Sequence, residues 1–326
     1  MNSTRNDFEA LFAHQMSDEE MREFLLSLTL DSTTSPSMIA TAADVMRKHS
    51  LKLHVSPDLA DKLIDVVGTG GDKSGSFNVS STVSILLAAC GSYVAKHGNR
   101  SITSQSGSAD VLEHLGIKLD MSLDNSARLL GETGFTFLFA QYHHPAMKFI
   151  MPIRRSIPDK TIFNILGPLT NPVGLSKILL GVFDEVFVPK MAQAALELGM
   201  KSAIVVSSRE KMDEVSISDI TYAAQLKESK IITYEIDPQM YGIKKVPFET
   251  ILGGDKIKNA AIFRDILSNR ATDPQRDIVL INAAFALMAD GCARDVQEAL
   301  EIARDGLLSG RALQKLEEII HVSSSL

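Results

Sequence analysis

The segment KLIDVVGTGGDKSGSFNVSS, residues 62–81, joins an apolar run to a hydroxyl-rich stretch through a loop that contains four glycines. The run 63–67 predicts a buried β-strand, and residues 80–89 predict a helix. Proteins of the α/β class place phosphate sites in such loops, between a strand and a helix N-terminus. Glycines allow positive φ angles and carry no Cβ atom, so the backbone N–H groups of this loop can converge on an anion.

Two common phosphate motifs fail in this loop. GxGxxG would need glycine at position 73, which is Lys73, and a Walker A match from Gly70 to Gly75 ends at Ser76 instead of lysine. A tight turn that binds nothing is therefore an alternative interpretation. Three side chains at the predicted helix start add hydrogen-bond donors, which favours a phosphate or pyrophosphate site: Asn78, Ser80 and Ser81.

A second polar loop lies in AKHGNRSITSQSGSADVLEHLG, residues 95–116, and again links a strand end to a helix that begins near Ala109. Its anion-binding candidates are Lys96, His97, Asn99, Arg100, Ser106, Gly107 and Ser108. A lone Lys–His pair is more often a solvated loop than a binding site. Two such loops one crossover apart support each other, and together they predict a phosphate site.

A third segment, VVSSREKMDEVSIS, places Asp213 and Glu214 after a predicted strand over residues 203–207. Adjacent acids on a loop can bracket a cation, and Mg²⁺ prefers a few carboxylates together with phosphate oxygens and water. An exposed acidic turn is the simpler interpretation of this pair in isolation. The two phosphate-binding candidates shift the balance toward a magnesium site.

Composition limits the class of protein. The chain has 326 residues, a net charge of −7 and two cysteines that are far apart, Cys90 and Cys292. The negative charge argues against broad nucleic-acid binding, and the cysteine pattern argues against a disulfide scaffold or structural zinc. The N-terminus is too polar for a signal peptide, and no apolar run approaches the length of a membrane helix. A cytoplasmic protein with no membrane partner is the expectation.

The pattern along the chain predicts an α/β fold in two parts. Residues 1–65 predict helices only, and the turn-rich segment of about 162–175 is a candidate addition to them. Residues 66–326 alternate strands with helices, which predicts a mostly parallel central sheet. The strand candidates are residues 63–67, 92–96, 136–140, 178–183 and 202–207, whereas 278–282 fits a helix better.

Together these motifs resemble the anthranilate phosphoribosyltransferase family, and the resemblance extends over essentially the whole chain. KHGNR with SGSAD is specific, and TIFNILGPLTNP is more so; the similarity of NAA (282–284) with the preceding Arg276-Asp277 is weaker. The matching stretches are GTGGD (68–72), NVSS (78–81), KHGNR (96–100), SGSADVLE (106–113), FLFAQYHHPAMK (137–148), TIFNILGPLTNP (161–172) and DEVS (213–216).

The resemblance implies a fold like that of nucleoside phosphorylases and a function in tryptophan biosynthesis. The phosphoribosyl group of phosphoribosyl pyrophosphate would pass to the amine of anthranilate, giving N-(5-phosphoribosyl)anthranilate and pyrophosphate. One alternative is a transferase or phosphorylase of the same fold with another acceptor. The other is a non-enzymatic relative that binds nucleic acid, which the net charge of −7 and the intact motifs disfavour.

The family also implies roles for individual residues. Two Mg²⁺ ions would be held by Ser80, Asp213 and Glu214. No catalytic residue is certain, and His97 is a weak candidate for a general base. The donor phosphoribosyl pyrophosphate would contact Gly68, Thr69, Gly70, Gly71, Asp72, Asn78, Ser80, Ser81, Lys96 and Ser108. Anthranilate would contact Gly68, His97, Asn99, His144, Arg154 and Pro168.

The resemblance further implies a homodimer formed through the helical N-terminal part, and it leaves open whether a separate glutamine amidotransferase partner exists. Four departures from the family pattern stand out. The glycine usual before the Asp-Glu pair is missing from residues 207–212, and a Leu-Gly turn is replaced in residues 157–160. Ser81 stands where threonine is common, and the glycines expected between Ile266 and Arg276 are absent.

Overall fold

Seven strands form one sheet in the computed structural model, which describes residues 2–100 and 106–326; residues 101–105 of the second polar loop lie outside it. The strand order across the sheet is β3-β2-β1-β4-β5-β6-β7. The strands are β1 Leu63–Gly68, β2 Tyr93–Gly98, β3 Phe135–Phe139, β4 Lys177–Gly181, β5 Ser202–Ser208, β6 Thr221–Lys227 and β7 Lys230–Ile236.

The first five strands run parallel, β6 is antiparallel to β5, and β7 is antiparallel to β6. The mostly parallel sheet expected from the sequence is therefore confirmed. The β6–β7 hairpin was not predicted, because β7 is a partly exposed edge strand with no apolar run. Its tight turn uses Glu228 and Ser229 at φ 51° and 59°, without the glycine or asparagine that usually marks such a turn.

Helices cover both faces of the sheet. Local signals set several of their starts: Ser17 and Glu20 form a capping box, and Ser35 caps a helix that has Pro36 in its first turn. The helices are α1 Asn2–Phe12, α2 Asp18–Ser27, α3 Pro36–Lys48, α4 Pro57–Ala60, α5 Val79–Ala89, α6 Ser108–His114, α7 Leu123–Thr133, α8 Ala140–His143, α9 Met147–Arg155, α10 Phe163–Leu166, α11 Val188–Glu197, α12 Lys256–Leu267, α13 Asp273–Asp290, α14 Val296–Leu308 and α15 Arg311–Ser325.

Two apolar cores lie on opposite faces of the sheet. The first is centred on α5 and α13; residues 278–282 are part of α13 and are helical, as their length and pattern favoured. The second contains the buried faces of α1, α2, α3 and α11. No helix among the described residues has the length and apolar character needed to cross a membrane.

The segment after α9 returns to the N-terminal helices. Thr29 and Thr161 form an isolated antiparallel bridge, Leu30 N–H donates to the Lys160 carbonyl oxygen, and Ile162 N–H donates to the Leu28 carbonyl oxygen. These contacts tie the start of TIFNILGPLTNP to the helical part of the chain. The division into domains at residue 65 stays a prediction.

Candidate active site

The glycine loop follows β1 at the carboxyl edge of the sheet. Gly70, Gly71 and Gly75 have φ angles of 66°, 69° and 73°, which glycine adopts without steric cost. Gly68 has another role, since a Cβ atom there would overlap the carboxylate of Asp213. The loop therefore needs glycine for backbone conformation at three positions and for space at one.

The acidic pair packs directly against this loop. Gly70 N–H donates to Asp213 Oδ2 at 2.7 Å, and Ser80 N–H, in the first turn of α5, donates to Glu214 Oε1 at 3.1 Å. At the end of β4, a Cβ atom on Gly181 would overlap the backbone of Asp213. The pair is thus not an exposed acidic turn, because the glycine loop and the α5 N-terminus both bind it.

The segment on either side of the acidic pair is held firmly. Asn282 on α13 accepts a hydrogen bond from Val215 N–H and donates to the Val215 carbonyl oxygen, each at 2.8 Å. Before the pair, Lys211 has a φ of 67° and its N–H donates to the Ser208 carbonyl oxygen. Lys211, two residues before the pair, therefore adopts a left-handed conformation that glycine favours.

Burial dominates the electrostatics of the acids. It raises the pKa of Asp213 to about 7, and the negative charge of Asp72 contributes to the shift. Burial also raises the pKa of Glu214 well above its usual value, with repulsion from Asp213 as the next cause. Two desolvated carboxylates side by side are costly unless a cation neutralises them.

The carboxylates of Asp213 and Glu214 fit a magnesium site. The described residues contain no cluster of three or more acidic, histidine or cysteine side chains arranged around one metal position. Mg²⁺ does not need such a cluster, because it typically takes one or two carboxylates and completes its shell with substrate phosphate oxygens and water. Asp213 and Glu214, which lie together on the wall of one cavity, meet that requirement.

The glycine loop, the α5 N-terminus and the acids enclose a cavity of about 440 Å³, here called the donor cavity. Thr69 and Lys96 were expected to contact the donor, but the structure does not place them on the cavity wall. Of the expected donor and metal residues, those that line it are Gly68, Gly70, Gly71, Asp72, Asn78, Ser80, Ser81, Ser108, Asp213 and Glu214.

Lys96 lies behind this wall. Its side chain is buried, and Nζ donates to the Val66 carbonyl oxygen at 2.6 Å and to Ser80 Oγ at 3.3 Å. Burial lowers the pKa of Lys96, while the charges of Asp65, Glu214 and Asp213 oppose that shift. Among the described residues, Ser80 is the hydrogen-bonded link between Lys96 and the donor cavity.

Sequence reasoning missed a second glycine segment on the far wall. Gly253 N–H donates to the Gly75 carbonyl oxygen at 2.9 Å, and Phe77 N–H donates to the Ile251 carbonyl oxygen. Buried Asn259, on α12, donates to Asn78 Oδ1 at 2.9 Å and accepts from Gly254 N–H at 2.8 Å. The signal that could have revealed it is the Gly-Gly-Asp sequence before a helix.

A second cavity of about 490 Å³, the acceptor cavity, lies between β2, α3 and α9. His97, Asn99, His144 and Arg154 line it as expected, whereas Gly68 and Pro168 do not. Pro168 is buried in the 3₁₀ turn 167–170, whose two end residues do line the cavity. The unpredicted lining residues are Met46, Ala140, Gln141, Met147, Lys148, Met151, Arg155, Phe163, Leu166, Gly167 and Thr170.

Arg154 lines the acceptor cavity and supplies positive charge there. Among the described residues no carboxylate forms an ion pair with it; its guanidinium lies 6.0 Å from the ring centroid of Phe163 and contacts the sulfur of Met151 at 3.9 Å. Burial lowers its pKa, but an arginine stays protonated. A half-buried guanidinium in a largely apolar cavity is a natural partner for a planar carboxylate.

The cavity histidines are neutral. Burial lowers the pKa of His97 well below its usual value and lowers that of His144 to about 4. The Gly167 carbonyl oxygen lies 3.2 Å from His97 Nδ1, so that nitrogen carries the proton and Nε2 keeps its lone pair. Neighbouring His143 binds the Leu51 carbonyl oxygen through Nδ1 at 2.7 Å.

Comparison with known proteins identifies the family of this chain. Residues 60–313 match the model of a glycosyl transferase family, described as its a/b domain. Anthranilate phosphoribosyltransferase from Rhodopseudomonas palustris (strain BisA53) is 40% identical over 318 residues, covering 98% of this chain and 92% of the relative.

Solved structures give the same result. Anthranilate phosphoribosyltransferase from Thermus thermophilus superposes with a TM-score of 0.91 at 34% identity, covering 99% of this chain and 95% of that one. The Saccharomyces cerevisiae enzyme in complex with PRPP and Mg gives 0.86 at 28% identity, covering 98% and 91%. The chain therefore belongs to the anthranilate phosphoribosyltransferases, within the glycosyl transferase family that carries this α/β domain.

Proposed function

We propose that this protein transfers the phosphoribosyl group of phosphoribosyl pyrophosphate to the amine of anthranilate and releases pyrophosphate, as the name of its family states. One observation supports this assignment above the others. Consecutive residues at the end of β2 serve the two cavities: Lys96 binds Ser80 of the donor cavity, and His97 lines the acceptor cavity. A donor and an acceptor bound in the two cavities would therefore meet at this strand end.

The donor cavity suits a polyphosphate. Backbone N–H groups of the glycine loop and the first turn of α5 supply donors, and the positive end of the helix dipole faces the same space. Ser81 Oγ is buried in that first turn without a hydrogen-bond partner among the described atoms. A phosphate oxygen would satisfy it.

We assign the metal position to Ser80, Asp213 and Glu214, with two Mg²⁺ ions as the family expectation. Bound Mg²⁺ supplies positive charge that stabilises the leaving pyrophosphate. The protein's own part is to hold the two carboxylates side by side, and the Gly70 and Ser80 N–H groups orient them and oppose the rise in pKa that burial causes.

The acceptor cavity suits an aromatic amino acid of the anthranilate type. Arg154 would bind the carboxylate, and apolar residues such as Met147, Met151 and Phe163 would surround the ring. His97 Nε2 has no partner among the described atoms and can accept a hydrogen bond from the amine. Its lowered pKa makes it a weak base, so we assign it orientation of the amine first and proton removal second.

The chemistry needs no covalent intermediate. Displacement of pyrophosphate from the anomeric carbon develops positive charge on the ribose, so positioning and electrostatic stabilisation carry the rate. Burial raises the pKa of the Cys90 thiol to about 11, and its Sγ faces the Ile302 carbonyl oxygen beside α14 rather than either cavity. We propose inversion at the anomeric carbon with a loose transition state.

A fluorescence assay tests the proposal. Anthranilate fluoresces, and the chain contains no tryptophan. Protein, anthranilate, phosphoribosyl pyrophosphate and Mg²⁺ together should give a fluorescence decay that stops when any one component is omitted. Donor binding by calorimetry without any decay would show that the acceptor is another amine or a nucleobase, which is the competing function for this fold.

Assembly and location are proposed on the family expectation. We propose a cytoplasmic homodimer formed through α1–α3 and the segment 162–175. In this proposal, the segment 162–175 belongs to the helical N-terminal part. Light scattering should give twice the mass of one 35.5 kDa chain. A monomer at micromolar concentration would contradict it.

A further inference from the structure

The strands β1 and β2 separate before they reach the carboxyl edge of the sheet. The two strands pair at Leu63 with Tyr93 and at Ile64 with Val94, although both strands continue beyond these pairs. On its other side, β1 stays paired with β4 up to Gly68. The gap therefore opens between β1 and β2 only.

Regular parallel pairing would place Val66 opposite Lys96. The N–H and C=O of Val66 would then bond to the Ala95 carbonyl oxygen and the His97 N–H, as alternate residues do in a parallel ladder. These backbone groups are buried and need partners, because an unpaired buried backbone group costs free energy.

Three side chains bind three of these four groups instead. Asp65 Oδ2 accepts from His97 N–H at 3.2 Å, Asn171 Nδ2 donates to the Ala95 carbonyl oxygen at 2.8 Å, and Lys96 Nζ donates to the Val66 carbonyl oxygen at 2.6 Å. We call Asp65, Lys96 and Asn171 the polar wedge.

Within the polar wedge, Asp65 and Asn171 are hydrogen-bonded to each other, and the charge of Lys96 interacts with that of Asp65. Asn171 Nδ2 also donates to Asp65 Oδ2 at 3.0 Å, and the three side chains are 0%, 2% and 0% exposed for Asp65, Lys96 and Asn171. Asp65 and Lys96 carry opposite charges, which offsets the cost of burying either one. Hydrogen bonds in such a buried network are strong, so the arrangement of its side chains is held firmly.

Each member of the wedge leads to one of the two cavities. Lys96 reaches Ser80 Oγ on the donor side, Asp65 holds the backbone of His97 on the acceptor side, and Asn171 follows Thr170 of the acceptor cavity. We propose that the polar wedge sets the separation between donor and acceptor, with Asp65 as a positioning residue. This inference rests on the placement of the two substrates proposed above.

Two substitutions separate hydrogen-bond geometry from charge. Both hydrogen bonds of Asp65 use Oδ2, and Oδ1 has no partner among the described atoms, so the single carbonyl oxygen of Asp65→Asn can keep both. Asp65→Ala removes both. A misplacement of about 1 Å can cost roughly 100-fold in rate. We expect kcat to fall about 100-fold in Asp65→Ala and less than about tenfold in Asp65→Asn, with the Kd of each substrate changed less than about threefold.

Asp290→Ala is the matched control. Asp290 is another buried carboxylate, with the partners Ser92, Lys177 and Cys292, away from both cavities. It should lose thermal stability as Asp65→Ala does and keep the wild-type kcat. Equal kcat losses in Asp65→Ala and Asp290→Ala at matched stability would reduce Asp65 to a structural residue and overturn the proposal. Equal losses in the Ala and Asn variants of Asp65 would overturn it as well.

Asn171→Ala keeps the test decisive if Asp65→Ala does not fold. It removes the donor to both Asp65 and Ala95 but no charge, and should lower kcat at least about tenfold with unchanged substrate Kd values. An unchanged kcat would contradict the role of the wedge. Failure of the proposed function is a separate outcome, since the wild-type protein itself would then show no turnover.

Discussion

Single positions in this site show what a Cβ atom permits or forbids. Gly68 and Gly181 have ordinary φ angles but leave the space that the Asp213 carboxylate and backbone occupy. Lys211 shows the opposite case: its φ of 67° favours glycine, yet the side chain extends outward and lies 3.4 Å from Asp184. The turn before the acids thus carries backbone strain at one residue, which a glycine there would relieve.

Replacing Lys211 by glycine should therefore stabilise the protein. Relief of a left-handed non-glycine residue should outweigh the loss of an exposed ion pair, for a net gain of about 0.5–1 kcal/mol in the free energy of unfolding. Urea denaturation measures this change. Lys211→Ala removes the ion pair but keeps the strain, so it should not stabilise; a gain equal to that of the glycine variant would contradict the explanation.

Arg154 should determine acceptor affinity and leave donor affinity alone. Loss of a charge-assisted hydrogen bond to the anthranilate carboxylate costs about 1.5–3 kcal/mol, so the KM for anthranilate should rise roughly 10- to 100-fold in Arg154→Ala. The KM for phosphoribosyl pyrophosphate should change less than about threefold. Steady-state kinetics measure both KM values, and Arg128→Ala, at an exposed position, is the control. Equal increases in the KM for anthranilate and the KM for phosphoribosyl pyrophosphate would show that Arg154 does not bind the carboxylate.

At the scale of elements, the donor cavity is assembled from segments that are distant along the chain. The glycine loop after β1 pairs with residues 251–254 through the Ser76–Leu252 bridge and the Gly253 N–H. A Cβ atom on Gly253 would lie 2.6 Å from Asn259 Oδ1 and 2.7 Å from the Phe77 Cα atom. This close approach is what lets α12 form the far wall of the cavity.

Gly253→Ala should therefore weaken donor binding. The added methyl group must push the glycine loop away from Asn259, and we expect the KM for the donor to rise at least about fivefold with little change for anthranilate, because close-packed atoms resist such insertion. Gly254→Ala is the matched control, since its Cβ atom would meet only the flexible side chain of Lys258, at 2.8 Å. Similar kinetics in both variants would show that the approach at Gly253 does not matter.

At the scale of the whole molecule, the buried acids link stability to pH. Asp213 has a pKa of about 7 in the folded protein and an ordinary value near 4 when unfolded, so the folded state binds more protons between these values. The free energy of unfolding of the metal-free protein should therefore fall as pH rises from about 4 to 7, on the order of a few kcal/mol shared with Glu214.

Mg²⁺ should reverse that loss, because it binds the ionised carboxylates. We expect the increase in Tm on adding Mg²⁺ to be larger at about pH 8 than at about pH 5.5, measured by scanning calorimetry. Asp213→Asn should flatten the metal-free pH dependence and reduce the Mg²⁺ effect. An equal increase in Tm at both pH values in the wild-type protein would show that Asp213 and Glu214 do not bind the metal.

The amino-acid sequence alone determined the elements whose signals are local. Capping residues fixed the starts of α2 and α3, the apolar runs predicted the five parallel strands, and Gly70, Gly71 and Gly75 marked the phosphate loop through their backbone freedom. The motif GTGGD and the acids at 213–214 also indicated the chemistry, because anion and metal sites need particular residue types.

Only the tertiary structure decided what depends on contact through space. In the folded chain, Lys96 lies behind Ser80, and neither Thr69 nor Pro168 lines the cavity that it was expected to line. Asn259 and Asn78, which are far apart in the sequence, are hydrogen-bonded to each other. The β6–β7 hairpin formed because β5 offered an edge to pair with, although β7 has weak local signals. The gap between β1 and β2 has the same origin, since backbone groups there bond to side chains that no local pattern could bring together.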